Sequence, residues 1–162
     1  MRLIHLFGFA LFLPLLCAST IAHGEQKPYY LFHEPLSKED FSALLQAVAD
    51  GWNQGNARMA ASCFAENATY SAPPSKGHVG RPALYEYFGG DKGRPLPMHM
   101  TWHHVVFDPD QQIGVGEYTF RYQIQTHGLV IVKISHGLIS NWREYEAQSS
   151  LPWDSFVGDN KF

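Results

Sequence analysis

Two periodicities divide this chain. Between residues 37 and 52 apolar side chains recur every three to four positions (Phe41, Leu44, Leu45, Val48, Trp52), which predicts a helix with one buried stripe. Ser37 in front of it and Asp40 three residues on make an approximate capping box. Gly55 suits the left-handed residue after a helix end, and Asn56 suits the cap of a second, short helix with Met59, Ala60, Cys63 and Phe64 as its apolar face. Ala68 to Ala72 reads as a strand that Pro73-Pro74 breaks. Gly80-Arg81-Pro82 then opens a third helix, with Leu84, Tyr87 and Phe88 inside, and Gly89-Gly90 ends it.

From residue 98 the period falls to two. Met98 to Phe107, Gly114 to Gln123, Leu129 to Ser135 and Leu138 to Gln148 read as strands. Turns are predicted at Asp108-Pro109-Asp110-Gln111-Gln112, at Thr126-His127-Gly128 and at His136-Gly137. Helices first and antiparallel strands afterwards predict an α+β domain with the helices packed on one face of a curved sheet.

The N-terminus belongs to a different class. Met1-Arg2, an apolar run from Leu3 to Cys17 and small residues around Ala22 describe a secretory signal peptide over 1–24, cleaved after Ala22 or Gly24. The run is shorter than the ~20 residues of a spanning helix and contains Pro14, so no permanent membrane span is expected. Lipidation at Cys17 is the weaker alternative, because Leu16 stands where a small residue is usual. These features place the protein outside the cell or in the periplasm. Residues 25–36 read as an extended arm, 37–148 as one domain and 149–162 as a C-terminal tail. Without Arg2, 11 basic residues stand against 15 acidic ones and no basic run occurs, so nucleic acid is not an expected partner. Cys63 alone survives processing, which leaves no internal disulfide to form.

Trp52-Asn53-Gln54-Gly55-Asn56, Phe64 to Tyr70, Gly77 to Ala83 and Gly137 to Tyr145 together resemble the SnoaL-like branch of the nuclear-transport-factor-two-like superfamily, over about residues 37–148. The resemblance implies a cone: a strongly bent antiparallel sheet wrapped round the long first helix, with two shorter helices and a pocket at the open end. It also implies a homodimer formed through an exposed outer sheet face. It does not fix a reaction, since this architecture hosts isomerases, cyclases, hydrolases and non-catalytic binders.

Alternation narrows the chemistry. On the last strand Ser140, Trp142, Glu144 and Glu146 share one face. By similarity to limonene epoxide hydrolase, whose last strand reads Trp-Arg-Asp-Tyr, Trp142 and Glu144 match pocket positions and Glu144 a catalytic aspartate. The hydrolase's arginine and second aspartate are not reproduced in Gly116 to Arg121. On that strand Glu117, Thr119 and Arg121 alternate with Tyr118, Phe120 and Tyr122, and one set must line the concave face. If Glu117 points inward beside Glu144, the two carboxyls become acid/base candidates; the alternative is ion pairing with Arg121 or Arg143. Trp52, Tyr70, Tyr85, Trp102, Tyr118 and Trp142 could line a flat apolar cavity. His103 is a possible pocket acid or base. His99 and His103 stand about 13 Å apart along a strand, too far to share a metal, so neither metal nor cofactor is expected. The reading is an exported domain that binds a small, largely apolar molecule in the cone pocket, with acid/base catalysis through Glu144 or Glu117 as an open addition to it; the alternative is a non-catalytic ligand-binding or dimerising module.

Overall fold

The computed structural model describes residues 34–162. The signal peptide and nearly all of the arm lie outside the described residues. The first helix, α1 (Lys38–Asn53), starts where the capping box places it: the Ser37 hydroxyl accepts from the Asp40 amide at 3.1 Å, and the Asp40 carboxylate accepts from the Ser37 amide at 3.2 Å. Its predicted stripe is buried. The second, α2 (Ala57–Ser62), is capped by Asn56, whose side chain accepts from the Met59 amide at 2.9 Å. The third, α3 (Arg81–Tyr87), follows Gly80 at φ 89°. Phe64 does not extend α2: it opens β1 (Phe64–Ser71), because pairing with Ile139 across the sheet outweighs its helical spacing.

The remaining strands are β2 (His78–Val79), β3 (His99–Asp108), β4 (Ile113–Arg121), β5 (Gln125–Ser135) and β6 (Leu138–Gln148), in the sheet order β2-β1-β6-β5-β4-β3. The pairing is antiparallel except between β1 and β6, which run parallel because β1 enters the sheet from the helices and not through a hairpin. Register shifts after Trp102, after Lys133 and within β1 bend the ribbon around α1. Three bonds fasten helix to sheet: Trp102 Nε1 donates to the Leu45 carbonyl, and the Asn53 amide group both donates to and accepts from the backbone of Met100.

The turn expected at Thr126-His127-Gly128 is instead part of β5, and the chain reverses just before it, between Arg121 and Gln125. Gly128 is required for another reason. It pairs with Tyr118 on β4, and an added Cβ would overlap the phenol ring. Gly128→Ala is expected to cost about 1–3 kcal/mol by overpacking, read by urea denaturation, and to push the Tyr118 hydroxyl out of place. The turn at His136-Gly137 forms as expected, both residues taking positive φ. Residues 149–162 fold back on the outer sheet face and include a short helix, α4 (Trp153–Val157).

Candidate functional site

The C-terminal end of the α1 stripe and side chains of β1, β4 and β6 converge on one cavity of about 110 Å³. Its floor is Glu144 from β6, Tyr70 from β1 and Tyr118 from β4; Trp52, Phe88, Met98 and Phe120 form the walls; Tyr87, Arg94, Tyr122 and Glu146 stand at the rim. Alternation explains the strand contributions, since Tyr118 and Phe120 share the inner face of β4, with Tyr122 continuing it just past the strand end, as Trp142, Glu144 and Glu146 share that of β6.

Glu144 is the centre. Its side chain is 7% exposed, and each oxygen has a phenol donor: Tyr70 donates to Oε1 at 2.6 Å and Tyr118 to Oε2 at 3.1 Å. Trp142 Nε1 also donates to Oε2, at 2.8 Å. The Tyr118 oxygen lies equally near Glu146 Oε1, at 3.1 Å, and Thr126 donates to that same oxygen. A phenol has one proton, so Tyr118 serves one carboxylate at a time.

Burial raises the Glu144 carboxyl from 4.5 to about 6, against the pull of the Tyr70, Trp142 and Tyr118 donors, and the Glu146 charge adds to the rise. The Tyr70 and Tyr118 hydroxyls are pushed far up, by burial first and then by the charge on Glu144, so both stay protonated donors. Near pH 7 the site therefore holds a carboxylate close to its titration range. A carboxyl raised in the folded state stabilises the fold below about pH 4.5 and loses that contribution as pH rises through about 6. At ~1.4 kcal/mol per pH unit the difference is about 2 kcal/mol. Denaturant melts across this window should show that decline, and Glu144→Gln should remove it.

The other predicted site residues separate into two groups. Trp52 and Tyr70 line the cavity; Trp142 lies behind Glu144 as its indole donor; Trp102 packs against Tyr118 and Trp142 within the core. Tyr85 is remote, bonded to Asp91 beside Arg58. Glu117 and His103 lie on the opposite face of the sheet. Glu117 faces His104 at 3.9 Å, without an arginine partner among the described residues. His103 stacks on Trp153 of α4, ring centroids 4.1 Å apart, and meets the Thr119 hydroxyl at 2.6 Å. Thr119 in turn meets His127 Nδ1 at 2.9 Å, and His127 Nε2 meets the Leu151 carbonyl at 2.9 Å. The carbonyl can only accept, so His127 donates to it from Nε2; in the tautomer that leaves Nδ1 as an acceptor, Thr119 donates to Nδ1 and His103 donates to Thr119. This chain of bonds fastens the C-terminal segment to the sheet. Burial lowers the pKa of His103, which favours the neutral form.

Phe88, Met98, Phe120, Tyr122, Tyr87, Arg94 and Glu146 complete the cavity beyond the predicted set. Those on β4 could have been found once the phase of the strand was known, and Glu146 from its place two residues after Glu144. Arg94 and Met98 come from the loop before β3, where no period operates. No group of three His, Cys, Asp or Glu side chains among the described residues could hold a metal ion.

The fold is shared with solved structures. A protein of unknown function with a cystatin-like fold from Methylobium petroleophilum superposes with a TM-score of 0.62 at 16% identity, covering 78% of this chain and 95% of its own. An LEH-like epoxide hydrolase of M. tuberculosis gives 0.59 at 13% identity over 68% and 84%. The epoxide hydrolase/cyclase-like enzyme SalBIII, of pyran ring formation in salinomycin, gives 0.59 at 15% over 68% and 93%. At these identities the likeness establishes the fold. No curated protein matches the chain in sequence. The sequence profile of the SnoaL-like domain matches residues 45–142, from the middle of α1 to the tryptophan behind Glu144, and with more than half of its length matched the chain belongs to the SnoaL-like domain family.

Proposed function

We propose that this protein is an exported SnoaL-like domain, secreted or periplasmic, that binds a small, largely apolar molecule in the cone cavity and moves a proton on it with Glu144. The observation that carries the reading is the buried carboxyl itself, raised to about 6 and held by Tyr70, Tyr118 and Trp142 under a wall of aromatic rings. Such a group is deprotonated at neutral pH yet close enough to its titration range to take a proton and return it. The aromatic walls select a flat, ring-bearing molecule. Isomerisation, cyclisation or hydrolysis all fit this chemistry, and the cyclase- and hydrolase-named structures of the same fold support the class without choosing within it.

Export rests on the pattern of residues 1–24, and N-terminal sequencing of the mature protein should begin after Ala22 or Gly24. Val106, Ile113, Leu129 and Tyr145 are exposed large apolar side chains on the outer face of the sheet. They support pairing with a second copy, which sedimentation would show as a dimer.

One observation favours a non-catalytic binder: three donors already occupy the Glu144 oxygens. The test is native mass spectrometry of protein purified from its own host. A stoichiometric small organic molecule, displaced when Phe120 is enlarged to Trp, supports the cavity as its site. Protein that carries nothing, and whose cavity residues show no NMR shift with any ring-bearing fragment, removes the small-molecule reading.

A further inference from the structure

The rim of the cavity contains a cation that makes no ion pair among the described residues. Arg94 lines the cavity with its guanidinium carbon 5.2 Å from the Tyr87 ring centroid and 5.4 Å from that of Tyr122. No carboxylate among the described residues lies within ion-pair distance of it; Glu144 and Glu146, in the same cavity, bind hydroxyl and indole donors instead. Its Nε is buried and has no acceptor among the described residues. The other buried side-chain nitrogen or oxygen without a partner among the described residues is Nε1 of Trp52, which lines the same cavity.

A buried N–H with no acceptor costs about 1–3 kcal/mol, more when the group is charged, so two of them around one cavity need a common explanation. The loop is shaped to hold the arginine there. Gly89 and Gly93 precede it at φ 126° and 71°, and an added Cβ at Gly89 would sit 3.3 Å from the Arg94 Cγ. Stacking on two rings leaves the edge of the guanidinium, which carries all five N–H groups, free to receive an acceptor. A purely structural arginine would face a carboxylate or a row of carbonyls. This one faces neither.

Resting on the reading of this cavity as a small-molecule site, we propose that its ligand is a planar monocyclic carboxylate whose oxyanion is bound by Arg94 at the rim, with the ring lying between the aromatic walls toward Glu144. The arrangement separates the charges: the ligand's anion meets the cation, and its apolar part approaches a carboxylate whose oxygens are already bonded. Tyr87 stands between, its hydroxyl raised by burial and by Glu144 and lowered by Arg94, as expected for a group lying under both charges. The rim arginine thus acts as a binding residue that fixes ligand orientation and excludes neutral analogues.

The test compares benzoate with benzamide, which share the ring and differ in charge, binding to the full chain at pH 7.5 by calorimetry and by NMR shift of the Trp52 indole N–H. Benzoate should bind at least about tenfold more tightly, the range of a charge-assisted bond. Arg94→Met, which keeps the stem of the side chain, should bring the two within about twofold, and Arg94→Lys should restore part of the gap. The wild-type comparison needs no variant, so a poorly folding Arg94→Met would not protect the proposal. Equal affinities, or a preference that survives Arg94→Met, overturn it while leaving the cavity as a small-molecule site. If neither probe shifts the Trp52 signal at millimolar concentration, the proposal and the site reading fall together.

Discussion

Glu144→Gln is expected to lower turnover of the natural substrate about 100- to 10,000-fold while ligand affinity stays within a few-fold, the signature of a group that acts on the proton being transferred and not on binding. The substitution keeps size and one acceptor oxygen, which can still serve Tyr118 and Trp142 while the amide NH2 faces the Tyr70 oxygen, but it removes basicity. Tyr70→Phe is the companion measurement. Removing a donor to the charged form raises the carboxyl further, so the acid limb of the pH–rate profile, set near 6 by Glu144, should move to higher pH without disappearing. Glu146 is the control, because it is exposed at the rim, and its change to Gln should have the smaller effect. Unchanged turnover in Glu144→Gln would leave the cavity as a binding site alone.

Trp142→Ala should be the most destabilising single change, about 3–5 kcal/mol in chemical denaturation. Its side chain is 1% exposed and meets four other rings: it stacks on Tyr70 at 5.7 Å and touches Phe64, Trp52 and Trp102 between 5.8 and 6.1 Å. Truncation leaves a hole at the junction of α1, β1 and β6 that a rigid sheet cannot close. It also strips Glu144 of one donor. Trp142→Phe separates the two effects, keeping most of the packing and losing the N–H. It should cost far less stability yet raise the carboxyl's titration, seen by NMR. A loss below about 1 kcal/mol in Trp142→Ala would show that the cluster is looser than its contacts imply.

How much of this was legible in the sequence varies with how local each cause is. Capping at Ser37, the buried stripe of α1, the start at Gly80 and the turn at His136-Gly137 all follow from neighbouring residues, and all are where the pattern places them. The phase of β4 is not local. Tyr118 and Glu117 alternate, and nothing on their own strand says which faces inward. The deciding residue is Gly128, ten positions on, whose missing side chain makes room for the Tyr118 ring. In sequence that glycine reads as a turn, which is why Thr126 to Gly128 misleads. Glu144 is legible because its strand alternates cleanly and resembles a known pocket strand. Its three donors are not, since Tyr70 reaches it across 74 positions of chain. Arg94, in an aperiodic Gly/Pro loop, carries no sequence signal of its role.

The parallel contact between β1 and β6 constrains when the cavity can exist at all. The last strand to leave the ribosome takes a central place, between the first strand and β5, so the bond from Tyr70 to Glu144 waits for nearly the whole domain to be synthesised. Closing so long a loop comes late and is repaid only when the strand docks along its length. A nascent or C-terminally shortened chain would have helices and hairpins but no cavity floor, and formation of the Tyr70–Glu144 bond would report completed folding in one step.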